Sequence, residues 1–251
     1  MNLAEALRLG DEELVSFVGA GGKKTAMQRL VGEASHRDVT VGYTTTTHTP
    51  PPDGFPHVVV SPNELPGALV DRETPIAFAA KQVENPERAD EKIRGYDPSV
   101  ADSVFESGLF DWLLVKADGA RGREFKAPGQ NEPVVPKTST VVSVVASVRA
   151  VGSPLDSPTV HRPDRVAAIA GRDIGTTLTP DVMGTVLASH DGGLKNVPDG
   201  ATVVLLVNKA DTPTLRERAR DIVSATFERT DRFSHGLVTS FETETLETVE
   251  S

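Results

Sequence analysis

The chain of 251 residues is long enough to bury a large core, and it has no cysteine, which excludes disulfide bonds, thiol catalysis and thiolate metal sites. Its formal net charge of −10 argues against a nucleic-acid partner, because an anion can bind only where positive charge is concentrated locally. No apolar run is long enough to span a bilayer and no signal peptide is visible, so we expect a cytoplasmic protein without a membrane partner.

Short apolar runs, typical of buried parallel strands, alternate with segments of helical composition along the chain. This alternation predicts an α/β fold with a mostly parallel sheet and helices on both faces, and we expect a single domain, 1–251, with a frayed acidic tail at 242–251. The predicted strands are 14–18, 38–44, 58–60, 76–80, 110–115, 141–145, 203–207 and 237–239, the predicted helices are 2–9, 26–34, 62–69, 98–107, 162–170, 181–189 and 212–228, and the charged segment 82–98 is predicted to be loop with some helix.

The first predicted strand ends in a glycine-rich turn that leads directly into a helix. Glycines let backbone N–H groups converge on an anion, the helix amino terminus adds partial positive charge, and a lysine adds a full charge. The pattern predicts a phosphate-binding loop and a three-layer fold like that of P-loop NTPases, although a tight turn with incidental lysines is the structural alternative. The predicted nucleotide-binding residues of this loop are Gly19, Ala20, Gly21, Gly22, Lys23, Lys24 and Thr25.

The loop departs from the common G-x-x-x-x-G-K-[ST] pattern at two positions. Phe17 stands where the first glycine is expected, and Lys24 stands where a hydroxyl side chain normally ligates Mg²⁺. We therefore expect Thr25, one residue further on, to be the hydroxyl ligand of the metal.

An acid and three cations follow the predicted strand 110–115. Asp118 is expected to hold Mg²⁺ and take part in catalysis, as acids at strand ends do in phosphate-loop enzymes. Arg121 and Arg123 are predicted to neutralise charge during catalysis, and Lys126 to bind an anionic substrate. The structural alternative is an Asp-Gly turn followed by a solvated basic loop.

Asn208, Lys209 and Asp211 follow the strand 203–207 in the N-K-x-D pattern with which guanine-nucleotide-binding proteins recognise their base. A carboxylate can accept hydrogen bonds from guanine N1–H and the 2-amino group, while the lysine stem packs along the base. We therefore expect these residues to bind the base and GTP to be favoured over ATP. The alternative is a polar turn that precedes a helix.

Two further segments are candidates for contacts with the γ-phosphate or a substrate. Thr46 and Thr47 are predicted to bind substrate, and His48 to act as a base or a substrate contact. His161 and Arg162 are predicted to bind an anionic substrate beside a proline that can begin a helix. A threonine run is also ordinary strand material, and the second segment is equally compatible with a charged helix start.

Six short motifs occur in order: V-G-A-G-G-K at 18–23, T-T-T-T-H at 44–48, A-D-G-A-R-G at 117–122 with K-A-P at 126–128, E-P-V-V-P at 132–136, V-H-R-P at 160–163 and L-V-N-K at 206–209. Together they resemble the YqeC family, accessory proteins of selenium-dependent molybdenum hydroxylases, over roughly residues 14–211. The resemblance implies a P-loop NTPase fold and a role in maturing the molybdenum cofactor or its selenium-modified form. It also implies a hydroxyl residue at the position of Lys24 and a glutamate at that of Lys116.

We therefore expect a nucleotide-binding accessory protein, an NTPase that uses Mg²⁺ with GTP or ATP. Its expected partners are the nucleotide and a molybdenum hydroxylase or an intermediate of that enzyme's cofactor. Two alternatives stay open: a kinase-like phosphotransferase that acts on a cofactor precursor, and a non-catalytic carrier of a nucleotide or cofactor.

Overall fold

A computed structural model describes residues 2–83 and 92–251, and within them strands and helices alternate as the sequence predicts. The strands are β1 (Glu13–Gly19), β2 (Val41–Thr45), β3 (His48–Thr49), β4 (His57–Val59), β5 (Ile76–Ala79), β6 (Lys81–Val83), β7 (Lys92–Arg94), β8 (Trp112–Lys116), β9 (Phe125–Lys126), β10 (Val141–Ser147), β11 (Val160–His161), β12 (Thr202–Asn208), β13 (His235–Ser240) and β14 (Thr245–Glu250). The helices are α1 (Leu3–Ala6), α2 (Lys23–Ala34), α3 (Pro98–Glu106), α4 (Pro163–Ala170), α5 (Pro180–Leu187) and α6 (Pro213–Phe227), with short 3₁₀ helices at Pro62–Glu64, Gly67–Leu69 and Val148–Ala150.

Nine of the strands form one sheet in the order β14-β13-β12-β10-β1-β8-β2-β5-β4. Every neighbouring pair in this sheet is parallel except β13 and β14, so the prediction of an α/β fold with a mostly parallel sheet is confirmed. Two small sheets, β11-β9 and β3-β7-β6, lie outside it.

Helices pack on both faces of the sheet because the side chains of a strand alternate between its two faces. On β1, Phe17 packs on one face in a cluster that includes Met27 of α2. The next residue, Val18, packs on the opposite face in a cluster with Val166 of α4 and Ile222 of α6. The central strands are covered on both sides, which explains their nearly continuous apolar runs.

Prolines and threonines fix where two helices begin. Pro180 and Pro213 occupy the first turns of α5 and α6, where a missing N–H group costs nothing. The side chains of Thr179 and Thr212 accept hydrogen bonds from backbone N–H groups of those turns.

Several predicted elements differ in the structure. The prediction of a frayed tail is wrong, because Thr245–Glu250 pairs antiparallel with β13 as the last strand of the sheet. The predicted helix 62–69 is two 3₁₀ turns, and helix 2–9 is shortened to Leu3–Ala6. In the predicted loop 82–98, Lys92–Arg94 pairs with β6, and 84–91 lies outside the described residues.

The register of the central strands brings their carboxyl ends to one edge. Phe17, two residues before the end of β1, pairs with Lys116 at the end of β8. On the other side, Ser147 ends β10 opposite Asn208, the last residue of β12. Ligands of open α/β sheets bind at this edge, which positions the candidate site. Within residues 2–83 and 92–251, no helix is both long enough and apolar enough to cross a membrane.

Candidate functional site

A cavity of about 600 Å³ opens at the carboxyl edge of the sheet, between the glycine-rich loop and the segments that follow β2 and β8. Cationic side chains dominate its lining, and Glu132 is the acidic residue among the described residues that line it. In a chain whose net charge is −10, this concentration gives the cavity a local charge opposite in sign to that of the whole chain. The lysines and arginines of the lining are Lys23, Lys24, Lys92, Lys116, Arg121, Arg123, Arg162 and Lys209.

The glycine-rich loop takes its shape from backbone angles and close approaches that only glycine allows. Gly21 has a φ of 88°, and a Cβ there would lie 2.7 Å from the backbone nitrogen of Ser147. Gly22 has a φ of 145°, and a Cβ there would lie 2.3 Å from Asn208 Nδ2. Both glycines line the cavity, and they lead into the first turn of α2, whose N–H groups have no acceptors within the helix.

Gly19 and Ala20, predicted to offer amides to phosphate, are engaged within the protein. The Gly19 N–H donates to Asp118 Oδ2 at 2.8 Å, and the Ala20 N–H donates to the carbonyl oxygen of Val145 at 2.8 Å. The structure therefore gives these two residues a part in shaping the loop, and it brings Gly21, Gly22, Lys23 and Lys24 to the cavity.

Beneath the cavity, a buried carboxylate holds two buried ammonium groups. Lys23 Nζ lies 2.9 Å from Asp118 Oδ1, and Lys126 Nζ lies 2.9 Å from Asp118 Oδ2. Burial alone would raise the pKa of Asp118, but the two lysines outweigh it and lower this pKa to about 2. Lys126 also contacts Glu132, at 3.2 Å. The predicted substrate role of Lys126 is not matched by its position, since it does not line the cavity.

Lys116 also lines the cavity, and the sequence did not predict a role for it there. Its Nζ donates to the backbone carbonyl oxygen of Asp118 at 2.7 Å, and its side chain is almost entirely buried. Burial, assisted by the charges of Lys23 and Lys126, lowers the pKa of Lys116 to about 7. The signal that could have found it is an ionisable residue that closes an otherwise apolar strand.

The donor set does not suit Mg²⁺. Both carboxylate oxygens of Asp118 already contact ammonium groups, which repel a divalent cation. Thr25, the other predicted ligand, is exposed on α2 and lines a different hollow, beside Phe241. Among residues 2–83 and 92–251, no group of three or more histidine or acidic side chains could hold a metal ion. The magnesium site predicted at Thr25 and Asp118 therefore does not match this geometry.

The N-K-x-D segment is divided between structural and cavity roles. Asn208 Nδ2 donates to the Gly21 carbonyl oxygen at 3.1 Å and so supports the loop. Lys209 lines the cavity and pairs with Glu124 at 2.7 Å. Asp211 lies outside the lining, and its carboxylate accepts hydrogen bonds from Arg149 at 2.5 Å and from Ser240. The predicted contact of Asp211 with guanine therefore has no counterpart in this geometry.

The segments after β2 and around β11 contribute to the cavity as well. Thr47 and His48 line it, whereas Thr46 donates its hydroxyl to the Val134 carbonyl oxygen at 2.7 Å and lies outside the lining. Burial is the main cause that lowers the pKa of His48, and nearby cationic groups lower it further. The same two causes lower the pKa of His161 to about 4. Both imidazoles are therefore neutral near pH 7.

The predicted arginines meet at the rim of the cavity. Arg121, Arg123 and Arg162 line it together with His161, and the same four residues line an adjoining hollow of about 320 Å³. Arg162 also pairs with Glu132, at 2.7 Å. Arg121 and Arg162 have positive φ angles of 50° and 60°, a backbone conformation that is uncommon for non-glycine residues.

Comparison with known proteins assigns the chain to a family. A family model described as YqeC protein matches residues 15–164. The chain belongs to the YqeC family. It is 32% identical over 200 residues to the "Uncharacterized protein YqeC" of Escherichia coli (strain K12), a match that covers 78% of this chain and 75% of that protein. The resemblance identified from the six motifs is thus confirmed, and the YqeC match includes the glycine-rich loop, Asp118 and Arg162 but ends before Asn208.

Proposed function

We propose that this YqeC family protein binds a nucleoside triphosphate, GTP or ATP, with the phosphate chain in the cationic cavity. The observation that carries the proposal is the lining itself, whose eight lysines and arginines keep an excess of positive charge even after pairing with Glu132 and with Asp118 and Glu124, which lie outside the lining. The several negative charges of a polyphosphate chain complement such a lining. The cavity volume of about 600 Å³ also falls within the usual range for small-molecule sites.

Each part of the cavity has a role in this proposal. The first turn of α2 offers free N–H groups to the terminal phosphates, and Lys23 and Lys24 add full charges at the same place. Arg121 and Arg123, which also line the cavity, contact phosphate oxygens in this proposal. Lys209 lines the cavity, and its stem can pack along either base, while Asp211 is held by Arg149, so this proposal does not distinguish GTP from ATP.

We further propose that nucleotide binding serves an accessory role in maturing the molybdenum cofactor, or its selenium-modified form, for a molybdenum hydroxylase. Membership of the YqeC family supports this role, because the resemblance implies it. The partner in this proposal is the hydroxylase or a phosphorylated intermediate of its cofactor, whose phosphate would meet the same cations.

The adjoining hollow favours a second candidate, a phosphotransferase. Its three arginines suit an anionic acceptor placed next to the phosphate chain. In such a transfer, the acceptor oxygen forms a bond to the γ-phosphorus while the bond to the leaving nucleoside diphosphate breaks. The acceptor's proton passes to His48, whose lowered pKa leaves it neutral and able to accept one.

The proposal is tested by calorimetric titration of the purified protein with GTP, ATP, CTP and inorganic triphosphate. We expect all four to bind, because the phosphate chain supplies most of the contacts. Lys23→Ala should lose about 2–4 kcal/mol of binding free energy, whereas the matched change at an exposed lysine outside the cavity, Lys137→Ala, should lose none.

Negligible heat with every ligand at low salt would refute binding. Product analysis then separates the activities: free phosphate indicates hydrolysis, a labelled acceptor indicates transfer, and binding without turnover indicates a carrier.

A further inference from the structure

The carboxylate of Asp118, predicted from the sequence to ligate a divalent cation, contacts lysine ammonium groups instead. Lys23 and Lys126 each lie 2.9 Å from one oxygen of Asp118, and both are almost fully buried. A metal ion bound to this carboxylate would have to displace them or share it with them at close range. Displacement would leave buried ammonium groups without a partner, which is costly.

Lys116 adds a third ammonium group beside this cluster, and the residue lines the cavity. It ends β8, the strand directly beside β1, so its position is fixed by the sheet rather than by a loop. Its Nζ donates to the Asp118 carbonyl oxygen at 2.7 Å and lies 3.5 Å from that of His48. An ammonium group has three hydrogens, so Lys116 keeps donor capacity for a ligand in the cavity that it lines.

The charges around Lys116 make it receptive to an anion. The buried groups near it are Lys23, Lys126, Asp118 and the half-buried Glu132, so three lysines face two carboxylates. The cluster therefore carries an excess positive charge while Lys116 is protonated. A phosphate group in the cavity would neutralise that excess, and its negative charge would favour the protonated form of Lys116.

We propose that this site binds its phosphate chain without a divalent cation, and that Lys116, together with Lys23, supplies the charge and the hydrogen-bond donors that a metal supplies elsewhere. The inference rests on the proposed function and specifies how the same cavity recognises its ligand. The ligand class that follows is the free nucleotide polyphosphate, not its magnesium complex.

The first test uses the unaltered protein. Dissociation constants for ATP and GTP are measured by calorimetry in excess chelator and again with Mg²⁺ in excess over nucleotide. We expect the affinity in chelator to equal that with Mg²⁺ within about threefold, or to be tighter, because the free polyphosphate carries more charge. An affinity at least about tenfold weaker in chelator, restored by Mg²⁺, would overturn this inference while leaving the proposed function intact. Absence of binding in both buffers would overturn both.

The second test addresses Lys116 itself. Lys116→Met keeps an unbranched apolar side chain one atom shorter and removes its charge, and Lys137→Met is the matched control outside the cavity. We expect Lys116→Met to weaken nucleotide binding in chelator by about 10- to 100-fold, the range for losing one charge-assisted hydrogen bond, and the control to change it less than twofold.

Thermal melts of both variants establish that they fold, and Lys116→Arg, which retains the charge, should recover part of the affinity. Unchanged binding by folded Lys116→Met would refute the assignment of Lys116.

Discussion

At the scale of single residues, the site depends on one buried carboxylate that compensates two buried cations. Asp118 is 1% exposed, and Lys23 and Lys126 are 5% exposed each. Removing water from such charges is expensive, so each of them is tolerated only with its partners in place. The sequence shows Asp118 at the end of a strand, but its pairing with lysines from two other segments is a consequence of the fold.

Asp118→Asn should destabilise the protein strongly. The neutral amide cannot compensate Lys23 and Lys126, and breaking a buried ion pair typically costs about 3–5 kcal/mol. Urea unfolding measures the change in free energy. Asp191→Asn, at an exposed position, is the control and should stay within about 0.5 kcal/mol of the unaltered protein. An Asp118→Asn variant as stable as that control would contradict the compensating role.

His161 should make stability depend on pH in a defined window. Burial, followed by the charges of Arg162, Lys126 and Arg121, lowers its pKa from 6.5 to about 4, against the opposing effect of Glu132. Between these values the unfolded chain binds a proton that the folded protein does not. The contribution of His161 to stability is therefore fully present above pH 6.5 and is lost as the pH falls towards 4.

Comparing the unaltered protein with the His161→Gln variant isolates this effect, because the two proteins have all their other titrating groups in common. Denaturant midpoints measured from pH 7.5 to about pH 4 should fall more steeply for the unaltered protein than for the variant. His57→Gln, at an exposed histidine on β4, should follow the unaltered protein. Parallel curves for the unaltered protein and His161→Gln would rule out the assignment.

At the scale of elements, the glycine-rich loop and α2 form one unit in which glycines have different roles. Gly22 precedes the helix with a φ of 145° against Asn208, whereas Gly32 lies within the helix and has open space around it. The amino-acid sequence of the loop is sufficient to identify a strand–turn–helix unit. Which glycines contact β10 and β12 follows only from the register of the sheet.

Gly22→Ala should weaken nucleotide binding, because a Cβ there would lie 2.3 Å from Asn208 Nδ2 and displace the side chain that holds the Gly21 carbonyl oxygen. Gly32→Ala should instead raise stability by about 0.5–1 kcal/mol, since alanine is the better helix former, and leave binding unchanged. Calorimetric titration and urea unfolding of both variants check the pair. Equal effects of the two substitutions on binding would contradict the loop geometry.

The last strand shows where local sequence misleads. The segment 242–251 is acidic and looks like a frayed end, yet Thr245–Glu250 completes the sheet. Antiparallel backbone pairing with β13 holds it, and two arginines distant in sequence contact it at the surface: Arg220 pairs with Glu247 at 2.7 Å, and Arg8 pairs with Glu250 at 2.8 Å. Such partners cannot be read from the segment itself, because they are brought together only by the folded chain.

At the scale of the whole molecule, the chain is acidic overall, yet eight of its 26 lysines and arginines line one cavity. Interactions of this kind are screened by salt, with a Debye length of about 10 Å at 0.1 M and about 3 Å at 1 M. Nucleotide affinity should therefore fall by about tenfold or more between 0.1 M and 1 M KCl. Titrations across that range measure it, with thermal melts in the same buffers as the control for folding. A salt-independent affinity would exclude electrostatic recognition.

The sequence by itself determined the alternation of strands and helices, the parallel sheet, the glycine-rich loop and the family, because periodicity and short motifs are local properties of the chain. Only the tertiary structure decided that Asp118 contacts lysines, that Asp211 is held by Arg149 and that Lys116 lines the cavity. Those outcomes depend on strand order and register, which place residues far apart in sequence at one edge of the sheet. A motif supplies the chemical groups, and the packing of the sheet determines which of them meet.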